Sequence, residues 1–424
     1  MREIISVRGG RRLTGTVDVD GSKNSALACL AAACLVTDGG TVVLENIPAI
    51  SDVAVMCDII KSLGKDVSFS DGRISVSGEF QSVDVPKALA GKIRGSMYFL
   101  GVLAATMGEL RCGFPGGDQI GERPIDIHLA GLKKMGVDCE VCDGIVEGRV
   151  TDRLIESRIY LRYPSVGATC NLMLAASRAQ GRTIIENAAR EPEIVDLGNL
   201  LSAMGVRVSG AGTDRITVTG TDVVRGGIFY EIIADRIEAG VFAIATAICG
   251  GKVRLHNIIL YHSFPLISLL GECGVRVEED DNSILIESDG RLHPFKVEMM
   301  PFPGVATDLQ PAVAVMASCT EGGLSTIVDL VFQNRFQYIE ELRHMGARIE
   351  HMGNTLKIRG GVSLHGCRIA GNDIRAVSAL LLAGLAAEGV TEIEGVEHLR
   401  RGYPQIDAKL RELGADVEIR QLAE

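Results

Sequence analysis

Six segments place charged or small polar residues directly before an apolar run. They are DGSKNSA at 20–26, AGKIRGS at 90–96, YPSVGAT at 163–169, ADRIEAG at 234–240, GVATDLQ at 304–310 and GNDIRAV at 371–377. Each apolar run reads as a buried helix, so each polar segment reads as a helix start. A helix start exposes unpaired N–H groups and the positive end of the helix dipole, and it attracts anions. Ser, Asp and Asn there are ordinary N-caps. Lys23, Arg94 and Arg375 are not, because a cation opposes the dipole. The set points to a ligand bearing phosphate or carboxylate. A second anomaly is FPGGDQIGERPIDIHLAGLKKMG at 114–136. Pro115, Gly116, Gly117 and Gly121 mark a mobile loop over 112–123, with Asp118 at its tip and Arg123-Pro124 opening the next helix. A loop carboxylate is ordinarily just solvated; only closure over a site would give it a chemical role.

The elements that carry these residues repeat six times. A short apolar helix, a Gly-containing turn, a strand, a second helix ending in Gly and a hairpin recur about every 70 residues. The first turns fall at Gly40, Gly108, Gly181, Gly250, Gly322 and Gly389. The second helices end at Gly64, Gly136, Gly205, Gly274, Gly346 and Gly414, where a glycine supplies the left-handed cap. Return strands of the hairpins are ISVSG, ITVTG, ILIES and LKIRG. The last repeat has only VEIRQLAE, and its missing strand appears at the start as ISVRGG. The two ends of the chain therefore belong to one discontinuous domain. Six repeats divide into two three-repeat domains: 22–232, carrying the loop 112–123, and 1–21 with 233–424.

Composition sets the broad class. Hydrophobic residues make up 46%, enough for sizeable cores. The net charge of −11 argues against a nonspecific nucleic-acid surface. Apolar runs such as ALACLAAACLV reach about half of a membrane span, and MREIISVRGGRR has a strand pattern rather than a signal-peptide core. Neither membrane insertion nor nucleic-acid binding is expected. Eleven cysteines lie mostly in apolar helices, where the thiol behaves as a small hydrophobe in a reducing cytoplasm. Cys139 and Cys142 form a lone CxxC with no second ligand pair, so no metal or other cofactor is expected.

Eight motifs spread over the whole chain carry a family likeness. They are GSKNSAL at 21–27, PGGDQIGERPID at 115–126, SVGAT at 165–169, IIENAAREPEIVDL at 184–197, DRIEAG at 235–240, TDLQ at 307–310, NRF at 334–336 and RGY at 401–403. Together they resemble the UDP-N-acetylglucosamine 1-carboxyvinyltransferases, enolpyruvyl transferases that open bacterial peptidoglycan synthesis. The resemblance implies two inside-out α/β barrels of three repeats each, with the active site in the cleft between them. It implies a cytoplasmic monomer serving cell-wall biogenesis, cell shape and division. Its substrates would be phosphoenolpyruvate and UDP-N-acetylglucosamine.

The implied reaction moves enolpyruvyl to the 3-hydroxyl of the sugar through a tetrahedral intermediate and releases phosphate. It needs a proton donor to the methylene carbon, a base for the hydroxyl, cations for phosphate and carboxylate, and exclusion of water. By resemblance, Asp118 is the donor and Asp308 the base. Lys23 and Arg123 hold the phosphate, and Arg401 closes on phosphoenolpyruvate. Arg335 and Arg375 face the carboxylate, where a guanidinium can make two hydrogen bonds. Asn24 touches both the sugar nucleotide and phosphoenolpyruvate. Arg123, Pro124, Ile125 and Asp126 embrace the uracil, with Ile127 beside them. Ser165, Val166 and Gly167 bind the diphosphate, Val331 offers its backbone to the sugar, and Arg94 couples loop closure to binding.

Three positions depart from the pattern. Asp118 stands where most members carry Cys, which implies insensitivity to fosfomycin. Gln333 replaces a Glu, and Tyr163 stands where Lys is frequent. The last two motivate a rival: an enolpyruvyl transferase acting on another uridine nucleotide. 5-Enolpyruvylshikimate-3-phosphate synthase shares the repeats, but GSKNS, KIRGS and RPID do not fit it. A non-catalytic regulatory paralogue would not need Lys23, Asp118, Arg123, Asp308 and Arg401 together.

Overall fold

The computed structural model describes residues 3–70, 72–118 and 124–421. Among them the strands form six four-stranded sheets with one plan. A short edge strand runs parallel to the strand that follows the apolar helix. That strand pairs antiparallel with the return strand of the hairpin, whose partner closes the other edge. In the third repeat these are Arg158–Tyr160, Arg182–Glu186, Arg215–Thr219 and Arg207–Ser209.

Three of the sheets are completed by distant chain. Glu3–Arg8 is the return strand of the last repeat: Ile5 sits opposite both Ile393 and Ile419. The missing strand of the sixth hairpin is thus supplied by the first residues of the chain, as the phase of the repeats requires. Leu13–Asp18 is the parallel edge beside Gly251–His256, and Ile228–Glu231 is the parallel edge beside Val42–Glu45. The chain divides into two compact units: Met1–Asp20, Asp118–Glu122 and Ala234–Glu424 in the first, Gly21–Gly117 and Arg123–Ile233 in the second.

Each unit has its own core. In the second unit the apolar helices Lys23–Ala33, Tyr98–Thr106 and Val166–Ala176 pack against one another, and in the first unit Arg236–Cys249, Gln310–Ser318 and Ile374–Ala386 do the same. Their composition allows it. Ala26 through Ala33 is buried on every side, which suits an axis of the unit and not a surface helix. At Gly101 a Cβ would lie 2.2 Å from the Asn171 carbonyl oxygen, so only glycine permits that crossing.

The second helices end as expected. Gly64, Gly136, Gly205, Gly274, Gly346 and Gly414 all have φ between 90° and 101°. The first turns need one correction. In the opening repeat Gly39 holds the positive φ of 78°, not Gly40. Gly40 is needed for a close approach instead: a Cβ there would lie 2.7 Å from the Gly226 Cα.

Repeats five and six differ from the others in a way that matters for chemistry. Their second helices shorten to Ile339–His344 and Ile406–Glu412. The chain before each is correspondingly irregular, and it carries Arg335 in one case and Arg401 in the other.

Candidate active site

In the first unit, one carboxylate lies between two guanidiniums. Asp308 sits in a 3-10 turn, Thr307–Leu309, that leads into the Gln310–Ser318 helix. Arg335 Nη1 donates to Asp308 Oδ1 at 2.7 Å, and Arg375 Nη2 donates to Oδ2 at 2.9 Å. Both arginines are 5% exposed. Burial alone would raise the Asp308 carboxyl, but Arg375 and Arg335 outweigh it and hold the group well below the usual carboxylate range. Two cations face one anion here, so the trio keeps one positive charge in excess. That suits a monoanionic group of a ligand.

The surroundings fix the trio. Arg375 Nη1 donates to the Tyr403 hydroxyl at 2.7 Å, and its helix is capped by Asp373, which accepts from the Arg375 and Ala376 N–H groups. The net shift of Arg375 is upward, since Tyr403 and Asp308 overcome the opposing effect of burial. Arg335 stacks on Phe332 at 4.7 Å and reaches Thr307 Oγ1 at 3.2 Å. Asp329, 2% exposed, ties these pieces together. Its Oδ2 accepts from the Thr307 hydroxyl, and its Oδ1 from the Val331 and Phe332 N–H groups. The Val331 N–H is thereby spent, which leaves only its carbonyl oxygen for a sugar.

Asp118 falls in the same unit, and Arg401 Nη1 donates to its Oδ1 at 2.6 Å. The side chains are 13% and 18% exposed. Asp118 is thus not a solvated loop carboxylate but half of a largely buried ion pair.

The second unit gathers the other residues. Lys23 opens its helix and pairs with Asp52 at 2.7 Å, with side chains only 11% and 5% exposed. Asn24 Nδ2 donates to Glu193 Oε1 at 3.4 Å. The helix start is anchored by Asp196, 1% exposed, which accepts from the Ser25 hydroxyl, from the Tyr230 hydroxyl at 2.6 Å and from the Ile233 N–H at 3.3 Å. Ser165 caps the Val166–Ala176 helix by accepting from the Ala168 N–H, while Val166 and Gly167 keep their N–H groups at the helix start. Arg94 opens a 3-10 helix, Arg94–Met97. Pro124 is exposed; Ile125 caps the Asp126–Lys134 helix, and Ile127 packs on the core. Asp126 pairs with Arg162, while its Oδ1 is buried without a hydrogen bond among the described residues. Arg123 lies outside the described residues.

A cation at a helix start does not by itself demand an outside anion, because Lys23 has Asp52 and Arg375 has Asp308. Several structural carboxylates and a hydroxyl carry little sequence signal of their own. Asp52 reads in sequence as a plain first-turn acid, and Asp329 as the end of a strand. Tyr403 stood inside the quoted RGY, which was a usable signal.

The model of the EPSP synthase (3-phosphoshikimate 1-carboxyvinyltransferase) family matches residues 7–410, and the chain belongs to that family of carboxyvinyl transferases. It is 43% identical over 415 residues to UDP-N-acetylglucosamine 1-carboxyvinyltransferase 2 of Carboxydothermus hydrogenoformans, covering 97% of this chain and 98% of the other. The UDP-N-acetylglucosamine 1-carboxyvinyltransferase of Halothermothrix orenii is 42% identical over 412 residues, covering 97% of this chain and 98% of the other. Among solved structures, the enolpyruvyl transferase NikO from Streptomyces tendae superposes with a TM-score of 0.89 at 26% identity, covering 99% of each chain. EPSP synthase from Acinetobacter baumannii, at 19% identity and a TM-score of 0.79 over 99% of this chain and 100% of the other, shares the fold. No helix among the described residues is long and apolar enough to cross a membrane.

Proposed function

We propose that this chain transfers enolpyruvyl from phosphoenolpyruvate to the 3-hydroxyl of UDP-N-acetylglucosamine and releases phosphate, the first committed step of peptidoglycan synthesis. The full-length relatives named for that activity support the reading over shikimate chemistry. The observation that carries it is Asp308 between two buried guanidiniums.

The chemistry follows from exchange of partners. Arg335 and Arg375 receive the carboxylate of phosphoenolpyruvate, which replaces Asp308 on them. Asp308, no longer held by both cations, regains basicity and takes the proton of the sugar hydroxyl. Asp118, freed from Arg401 and protonated from solvent before the site closes, delivers that proton to C3 as the hydroxyl oxygen adds to C2, giving the tetrahedral intermediate. Loss of a C3 proton then expels phosphate and leaves the enol ether. Lys23 and Arg123 hold the phosphate and Arg401 closes on phosphoenolpyruvate, so Asp118 is released from Arg401 as that substrate arrives. Asn24, Arg94, Ser165, Val166, Gly167 and the 123–127 segment serve the sugar nucleotide. The enzyme works as a cytoplasmic monomer with no cofactor.

The test is phosphate release from phosphoenolpyruvate with UDP-N-acetylglucosamine, UMP and shikimate 3-phosphate in separate assays. Release with the first alone is expected. Turnover with shikimate 3-phosphate, or none with UDP-N-acetylglucosamine, overturns the reading.

A further inference from the structure

Four hydrogen bonds close a ring around the start of the Lys23–Ala33 helix, all within the second unit. Ser22 is the N-cap, and its hydroxyl oxygen accepts the Ser25 N–H at 3.4 Å. The Ser22 N–H donates to the Ile233 carbonyl oxygen at 2.7 Å. The Ile233 N–H donates to Asp196 Oδ2 at 3.3 Å, and the Ser25 hydroxyl donates to the same oxygen. Lys23 and Asn24 lie on the arc between the clamped Ser22 and Ser25. They are also the residues of this helix assigned above to the substrates.

Asp196 is the member of the ring whose burial needs a reason. Ser22 alone supplies the cap that the helix requires. A carboxylate that is 1% exposed costs free energy to bury, and burial raises this one above its ordinary value in spite of its donors. Its other oxygen is engaged as well: Oδ1 accepts the Tyr230 hydroxyl at 2.6 Å. Held at both oxygens, the carboxylate cannot turn, so it fixes where the Ser25 hydroxyl and the Ile233 N–H must lie. Three residues earlier on the same Pro192–Ala203 helix, Glu193 Oε1 accepts from Asn24 Nδ2 at 3.4 Å. One helix thus fixes the turn that carries Asn24 and also meets its side chain.

We infer that Asp196 is a positioning residue for Asn24: through the Ser25 hydroxyl and the Ile233 N–H it holds the first turn of the helix so that the Asn24 carboxamide is aimed before the sugar nucleotide arrives. The inference rests on the role given to Asn24 in the functional reading above. A side chain aimed in advance binds more tightly because less conformational freedom is lost on binding. Asp196 itself is too deeply buried to touch the substrate, so its whole effect on binding must pass through Asn24 and its neighbours.

Calorimetric binding of UDP-N-acetylglucosamine to wild type, Asp196→Leu and Asp196→Asn, each with Asn24 intact and combined with Asn24→Ala, tests this. Leu keeps the volume and accepts nothing. Asn keeps an acceptor for Ser25 and Ile233, since the Tyr230 hydroxyl can turn to accept from its NH2. We expect Asp196→Leu to weaken binding about 10-fold, Asn to recover most of that, and the loss to shrink below about twofold once Asn24 is Ala. A purely structural role predicts the same loss with or without Asn24, and that result overturns the inference. So does wild-type affinity in a folded Asp196→Leu chain, or an Asn variant no better than Leu. If Asp196→Leu does not fold, Ser25→Ala decides, because it removes only the hydroxyl: it must weaken binding several-fold, and only while Asn24 is present. Wild-type affinity in Ser25→Ala overturns the inference and leaves the functional reading standing. Failure of wild type to bind UDP-N-acetylglucosamine overturns both.

Discussion

Arg375 and Asp308 are joined at 2.9 Å, and the same guanidinium is held from its other side by the Tyr403 hydroxyl at 2.7 Å. The residue proposed to take a proton is thus tied to a residue proposed to hold a substrate. The pattern recurs at Asp118 with Arg401 and at Asp52 with Lys23. Each described cation assigned to phosphoenolpyruvate (Lys23, Arg335, Arg375 and Arg401) already has a carboxylate of the protein. An arriving anion replaces an existing partner, so these buried cations need never be left bare, which would be expensive.

Asp308→Asn keeps the shape and removes the base. Sugar-nucleotide binding should persist, with transfer falling by roughly two to four orders of magnitude. Near wild-type turnover would remove Asp308 from the mechanism. The variant also carries a pH signature. The folded carboxyl titrates below its ordinary value of about 3.9. Its stabilisation is therefore present above about pH 4 and is lost as pH falls through the lower folded value. The gap in melting temperature between wild type and Asp308→Asn should be widest near neutrality and narrow below about pH 4. A gap constant from pH 7 to pH 3 would contradict the ion-paired assignment.

Tyr403→Phe tests how far the arginine depends on its second tether. The ring stays under the Arg375 guanidinium, 5.4 Å away, and only the hydroxyl is lost. We expect KM for phosphoenolpyruvate to rise several-fold, about 1 kcal/mol, with KM for the nucleotide little changed. Steady-state kinetics with each substrate varied in turn would show it. A matching rise in both KM values would mean that Tyr403 supports the fold of the unit and not Arg375 in particular.

Much of the fold was legible because its signals are local and repeated. A glycine after each second helix reports a left-handed cap, and six caps in phase report six units. The strand exchange between Glu3–Arg8 and Asp416–Gln421 was legible from phase alone. The site was legible in its residue types but not in its pairings. Nothing local in SDVAVM says that Asp52 meets Lys23, since the two are brought together by the packing of their helices. Asp196 and Asp329 look like ordinary helix and strand acids until burial shows that every acceptor is spoken for.

Lys23→Ala and Arg401→Ala each delete a cation assigned to phosphoenolpyruvate. Both should impair use of phosphoenolpyruvate far more than binding of the UDP-sugar. Lys23→Ala should in addition destabilise the chain, because it takes away the cation paired with the buried Asp52 carboxylate. Arg401→Ala should cost less, its partner being somewhat more exposed. Isothermal titration with the nucleotide, kinetics in phosphoenolpyruvate and thermal denaturation separate these effects. Equal weakening of the two substrates would refute the assignment of these cations to phosphoenolpyruvate.

The last prediction concerns Asp118 and fosfomycin. The drug inhibits this family when the loop cysteine thiolate opens its epoxide. A thiolate is a soft, strong nucleophile, and a carboxylate is a poor one toward an epoxide. Asp118 is further occupied by Arg401 at 2.6 Å. The nearest cysteine in sequence cannot substitute: Cys112 is fully buried in the Glu109–Gly113 strand, and burial pushes its thiol up to about 12. The wild-type enzyme should therefore be active and escape inactivation. Asp118→Cys should remain active and become sensitive, since a thiol can also deliver the proton to C3. Asp118→Ala should lose most activity by losing the donor. Intact-mass spectrometry after incubation with drug and UDP-N-acetylglucosamine reads the outcome directly: an adduct is expected on Asp118→Cys, and one on the wild-type chain would end the argument for a carboxylate at the loop tip as the source of resistance.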